Sequence, residues 1–151
     1  MTKKQLLPTF ANLITDAEVK NNYGFVYMVK VCINGINKLY IGQKCFHDLK
    51  NPWQTYTTSS KIVKSMIKAN VPVEYAVIAL CKNKQALNAE ESKHIVSTWK
   101  KLSDLGRLYM SLNFAVGKVK RDRILKGIGV DVKRANCSVQ KSYVAIVKGE
   151  N

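Results

Sequence analysis

Two tyrosines and a glycine set close together, Tyr27, Tyr40 and Gly42, are the residues of this chain best suited to chemistry. A phenol can give or take a proton at a reacting oxygen, and a glycine lets another backbone or a phosphate come close. The stretch after them, QKCFHDLKNPWQTYTT, adds Lys44, His47, Trp53 and Tyr56, a mixture able to hold phosphate and stack on bases. Phe46, Trp53 and Tyr56 are equally able to pin that loop to a core. Lys61 and Lys64 follow in SSKIVKSMIK, where they read either as phosphate contacts or as a solvated helix face.

Net charge narrows the substrate class. Lys and Arg number 25 against 10 Asp and Glu, a formal charge of +15, and an excess of that size calls for a polyanion, nucleic acid first. A basic but inert surface is the alternative. At 151 residues the chain supports one core, and 46% hydrophobic composition excludes a disordered body. Cys32, Cys45, Cys81 and Cys137 contain no Cys-x-x-Cys pair, which removes support for a zinc ribbon. No apolar run is long enough to span a bilayer and the N-terminus lacks the features of a signal peptide, so an intracellular, cytoplasmic protein is expected.

The elements that must position these residues follow from periodicity and turn chemistry. Phe25 to Ile33 and Lys38 to Ile41 are β-rich runs separated by Asn34-Gly35, which predicts a hairpin with one tyrosine on each strand and Gly42 just past the second. Phe10 to Val19 predicts a short amphipathic helix with no evident cap. Residues 43–58 read as a loop. Ile62, Val63, Met66 and Ile67 form one stripe behind Ser59 or Ser60, a natural N-cap. VEYAVIALC at Val73 to Cys81 predicts a third strand, buried because it is apolar on both faces. A long helix is expected from about Lys84 to Lys101, with Leu87, Ile95, Val96, Trp99 and Leu102 inward.

Gly24-Phe25-Val26-Tyr27 followed by Leu39-Tyr40-Ile41-Gly42 resembles the paired signature of GIY-YIG nucleases, the first half in variant form. WQTYTTSSK is similar to the pattern after the YIG element in a phage-type branch. Glu91-Ser92-Lys93-His94-Ile95 resembles the Glu-x-x-x-Ile element carrying the family's metal-binding glutamate, with Glu90 the competing choice. Tyr109 to Asn113 resembles the segment that ends in the family's asparagine, which holds the site together through side-chain hydrogen bonds. The order covers roughly residues 23–115. It implies an α+β fold: a small three-stranded mixed or antiparallel sheet flanked by helices, with a basic C-terminal extension.

The resemblance also implies roles. Glu91 would hold one Mg²⁺ (or Mn²⁺), Tyr27 would act as or orient the general base, and Tyr40 would orient the phosphate or water. Most members place an arginine on the first helix, whereas the first arginine here is Arg107. Lys61, and next Lys44, is expected to carry that charge, as a point charge instead of a bidentate fork. Residues 1–22 would be an N-terminal extension, 23–117 the nuclease core and 118–151 a basic extension. In that extension Lys118, Lys120, Arg121, Arg123, Lys126, Lys133 and Arg134 are candidate DNA-backbone contacts beside Lys44, His47 and Lys64, and SVQKSYVAIV is an expected extra strand. The function implied is a divalent-metal-dependent DNA endonuclease, phage or mobile-element (homing) in type. A silent DNA-binding relative and a basic nucleic-acid-associated structural protein are the alternatives.

Overall fold

The computed structural model describes residues 10–135. Strands β1 (Gly24–Ile33) and β2 (Ile36–Cys45) form the expected hairpin, joined by Asn34 and Gly35 with φ of 50° and 77°. Both left-handed residues are what a two-residue turn between twisted strands requires, and Asn-Gly supplies them at low cost. Pairing runs from Gly24 with Cys45 to Ile33 with Ile36. The second strand is therefore longer than expected. Register with β1 keeps Gly42 to Cys45 extended where their composition alone gives no strand signal, so Gly42 lies inside β2.

Strand β3 (Val73–Cys81) pairs antiparallel on the other side of β1, giving the order β2-β1-β3. The three-stranded sheet is wholly antiparallel and flanked by helices, the expected α+β architecture. Against the expectation of a buried strand, β3 is a half-buried edge strand. The centre belongs to β1, where Phe25, Val26, Tyr27, Val29 and Val31 are fully buried. A register shift between Val26 and Tyr27 in the β1–β3 ladder places a bulge beside Tyr27.

Alternation along β1 divides the core in two. Phe25, Tyr27, Val29 and Val31 pack with Phe10, Phe46 and Trp53 and with Val63 and Ile67 of α2 (Lys61–Lys68). Trp53 and Phe46 lie edge to face with ring centroids 5.4 Å apart, so they do pin the loop after β2. Val26 faces the opposite way, with Leu87, Ile95 and Trp99 of α3 (Lys84–Asp104). Ser60 caps α2, its Oγ accepting from the Val63 N–H at 3.2 Å, and Asn83 caps α3.

One further segment departs from expectation. In place of one helix over Phe10–Val19 there is a 3-10 turn (Phe10–Asn12) and then α1 (Asp16–Asn21). The break is a capping box: Thr15 Oγ1 accepts from the Glu18 N–H at 3.2 Å, and Glu18 Oε1 accepts from the Thr15 N–H at 2.9 Å. Phe10 is thereby freed to stack on Phe25, Tyr27 and Tyr75 at centroid distances of 5.0, 4.8 and 4.7 Å. The described part of the basic tail, residues 118–135, is folded onto the body. After a small hairpin of β4 (Ala115–Val116) and β5 (Val119–Lys120), helix α4 (Arg121–Gly127) sends Leu125 into the core beside Trp99. The expected strand SVQKSYVAIV lies outside the described residues.

Candidate functional site

The outer edge of β2 carries different chemistry on its two sides. Tyr40, Gly42 and Lys44 face the layer of α2, while Ile41 and Gln43 face α3, as alternation along the strand requires. Asn113 closes the edge. Its Oδ1 accepts from the Ile41 N–H and its Nδ2 donates to the Ile41 carbonyl, each at 2.8 Å, next to a bond from the Leu112 N–H to the Leu39 carbonyl at 2.7 Å. Trp99 Nε1 donates to Ser111 Oγ and to the Asn113 carbonyl, both at 3.1 Å, which ties this segment to α3.

Gly42 stands opposite Tyr27 in the register, and the Tyr27 ring lies across it. A Cβ at position 42 would come 2.5 Å from Tyr27 Cζ, too close for any rotamer of a fully buried ring to relieve. What the glycine admits is the phenol, not a phosphate. Gly42→Ala should destabilise the fold by about 3 kcal/mol or more, the upper end of overpacking effects. Denaturant unfolding checks this, and an unchanged midpoint would refute the contact.

The phenols converge without equal access. Tyr27 Oη lies 2.8 Å from Tyr56 Oη and 3.4 Å from Thr58 Oγ1, and accepts from the Ser59 N–H at 3.4 Å. Tyr40 Oη meets Ser59 Oγ at 3.2 Å. Burial pushes the pKa of Tyr27, Tyr40 and Tyr56 up, and the Glu91 carboxylate adds to the rise at Tyr40 and Tyr56. All three phenols are thus neutral at neutral pH.

Glu91 reaches the site from α3. Gln43 Nε2 donates to its Oε1 at 3.1 Å and to Asn88 Oδ1 at 2.9 Å. No ion pair to Glu91 occurs among the described residues, and burial raises its pKa. Glu90 points elsewhere: it lies 3.3 Å from His94 and 4.0 Å from Lys93.

A cleft of about 680 Å³ opens here, lined by Gln43, Lys44, Asp48, Tyr56, Lys64 and Lys84 among others. Lys44 is only 7% exposed, with Nζ 2.8 Å from Asp48 and 4.7 Å from the Tyr56 ring centroid. On α2 it is Lys64 that lines the cleft, one turn on from Lys61, which is exposed and not among the lining residues. His47 is also exposed and outside the lining.

The tail candidates separate from this cleft. Lys118, Lys120, Arg123, Lys126, Lys133 and Arg134 are exposed. Arg121 is not an open phosphate contact. Its Nη1 donates to the Ser111 and Asn113 carbonyls at 3.2 and 3.3 Å and its guanidinium stacks 5.3 Å from the Phe114 centroid. Burial lowers its pKa, and its Nε has no hydrogen-bond partner among the described residues. An arginine inside a basic run folded inward because the segment that carries Asn113 leaves carbonyls to satisfy.

Sequence alone gives no catalytic role to Tyr56, Gln43, Asp48 or Lys84. A signal existed for Asp48, whose Oδ1 accepts from the Lys50 and Asn51 N–H groups in the turn that Asp-x-x-Asn-Pro favours. None marked Lys84, which reaches the cleft only through the packing of α3.

Among the described residues no helix is long and apolar enough to cross a membrane. No curated protein and no solved structure matches the chain. Residues 9–103, more than half of the 151, match the family described as "Putative endonuclease segE, GIY-YIG domain". That span takes in both tyrosines, Lys44, Lys64 and Glu91 and stops short of Asn113 and the tail. With the hairpin, the antiparallel sheet and the tyrosine pair in agreement with it, the chain belongs to the segE GIY-YIG domain family.

Proposed function

We propose that this chain is a divalent-metal-dependent endonuclease that hydrolyses phosphodiester bonds of DNA, of the phage or mobile-element kind. The observation that carries the reading is one cleft lined by Lys44, Lys64, Lys84 and Tyr56, with Tyr27 behind Tyr56 and the Gln43–Glu91 pair across the same strand edge. Lysines suit the charge of a phosphodiester, and neutral phenols suit its non-bridging oxygens as donors.

Glu91 fits a hard divalent cation. It is a half-buried carboxylate steadied by a neutral amide, and no group of three or more His, Cys, Asp or Glu competes for an ion among the described residues. One protein carboxylate with several retained waters is the habit of Mg²⁺, and Mn²⁺ serves similarly. Bound there, the ion would supply Lewis-acid stabilisation of phosphate charge. Tyr27, buried and neutral, orients groups around the phosphate and does not itself serve as the base. Lys44 and Lys64 stabilise the charge that develops, in place of the absent arginine.

Plasmid nicking with Mg²⁺ against EDTA tests the reading. Cleavage in Mg²⁺ alone supports it, and DNA binding without cleavage would favour the silent relative. The exposed tail cations are proposed to touch the DNA backbone. Since truncation would remove the buried Leu125 from the core cluster that also holds Trp99, the useful variant replaces Lys118, Lys120, Arg123 and Lys126 with Gln. Its log-log salt dependence of DNA affinity should flatten by roughly 0.9 for each phosphate it no longer neutralises. An unchanged slope would place the tail away from DNA.

A further inference from the structure

The family signature directs attention to Tyr27, but Tyr27 has no surface: it is 0% exposed and does not line the cleft. Its hydroxyl is enclosed by Tyr56, Thr58 and the Ser59 N–H. Tyr56 does line the cleft. Its ring stands edge-on to Tyr27 at 73° with centroids 5.7 Å apart, and Phe10 backs it at 6.3 Å. Lys44 Nζ sits over the same ring at 4.7 Å.

We propose that Tyr56 is the phenol that meets a DNA phosphate in this cleft, as a hydrogen-bond donor, and that buried Tyr27 is its positioning residue. The inference rests on the nuclease reading for the identity of the ligand. The disposition of protons supports it. The Ser59 N–H donates to the Tyr27 oxygen, which leaves Tyr27 one proton to give, with Tyr56 Oη at 2.8 Å and Thr58 Oγ1 at 3.4 Å as its two acceptors. When that proton goes to the nearer acceptor, Tyr56 Oη, the Tyr56 proton must point away from Tyr27, and Tyr56 lines the cleft. A cation over a phenol ring withdraws electron density and strengthens the donor, and Lys44 supplies one. Burial keeps the proton on Tyr56 at neutral pH, as a donor requires. The mount is rigid as well: Thr58 is 1% exposed, and its Oγ1 accepts from the Ser60 N–H at 3.1 Å, so the loop enters α2 already fixed.

The test uses the full chain with tyrosine labelled with ¹³C at Cζ. A short duplex DNA is added in EDTA, and resonances are assigned by their loss in Tyr56→Phe and Tyr27→Phe. The Tyr56 resonance should move on DNA addition, with a smaller change at Tyr27. In Tyr27→Phe, the Tyr56 resonance should already be displaced without DNA, since its hydroxyl partner is gone, an effect that a merely space-filling ring would not produce. In Mg²⁺, Tyr56→Phe should lower kcat for plasmid cleavage by about 10²-fold with KM near that of the parent, the behaviour of a donor that acts at the transition state. A moving Tyr27 beside an unmoved Tyr56, or Tyr56→Phe cutting like the parent, overturns the proposal. A parent whose Tyr56 responds to DNA but which never cuts keeps the Tyr56–phosphate bond and refutes the nuclease reading.

Discussion

Glu91→Gln should stop cleavage and make the protein harder to melt. Loss of the carboxylate proposed to hold the ion removes at least what a single electrostatic stabiliser contributes, about 10²-fold in rate. DNA binding should persist, because Gln43 can hydrogen-bond a glutamine amide as readily as a carboxylate. The stability change follows from linkage. Burial raises the pKa of Glu91 above its ordinary 4.5, so the folded state holds that proton more tightly than the unfolded chain. Stability from this group is therefore greatest at low pH and falls as pH rises from the unfolded value through the raised one. Glutamine escapes that loss. The Tm difference between variant and parent should grow across this window and level off above it. Millimolar Mg²⁺ should raise the Tm of the parent and leave the variant unmoved, as an ion that binds only the folded carboxylate must. An active Glu91→Gln enzyme, or equal Mg²⁺ responses, would remove the ion from this residue.

The second large effect concerns the cation that replaces the family's arginine. Lys44→Ala and Lys64→Ala should each slow cleavage by about 10²-fold, chiefly in kcat, because charge that develops late in the reaction is stabilised late. Lys61→Ala should cut DNA close to the parental rate. Lys61 is the leading candidate on sequence grounds, but its side chain is exposed and lies outside the cleft that Lys64 lines. Lys64→Arg should retain measurable cleavage, since it keeps the charge and adds the planar fork geometry. Single-turnover kinetics on a labelled duplex would rank the four. A rate loss confined to Lys61→Ala would return the role to the helix start.

Why one lysine and not its neighbour could not be read from the chain is a matter of phase. Both occupy the polar side of a helix whose stripe, Val63 and Ile67, was plain, yet which flank of that side meets the cleft depends on where the preceding loop runs. That path is set by Trp53 and Phe46 packing on Phe25, contacts with no local signature. Tyr56 was legible as a loop residue able to meet phosphate or to pin the loop, but its pairing with Tyr27 was hidden for the same reason. The hairpin, by contrast, was legible because Asn-Gly and the β-branched runs act locally, and α2, β3 and α3 emerged within a few residues of expectation. Two misreadings had local causes. The capping box of Thr15 and Glu18 was present in the sequence and outweighed the apolar period across it. The apolar character of β3 reflects neighbours on both faces of an edge strand, which periodicity cannot tell from a central one.

The side chain of Asn113 stands where a neighbouring strand's peptide would stand, answering both the N–H and the carbonyl of Ile41. One backbone proton in the centre of the site is therefore guarded by a single side chain and not by a ladder. It can trade with solvent deuterium only when the 111–113 segment lifts, and that segment is moored by Trp99 and Arg121. The Ile41 amide is thus a built-in clock for the breathing of this edge: its exchange rate counts how often the far end of the fold lets go of the strand that carries Tyr40.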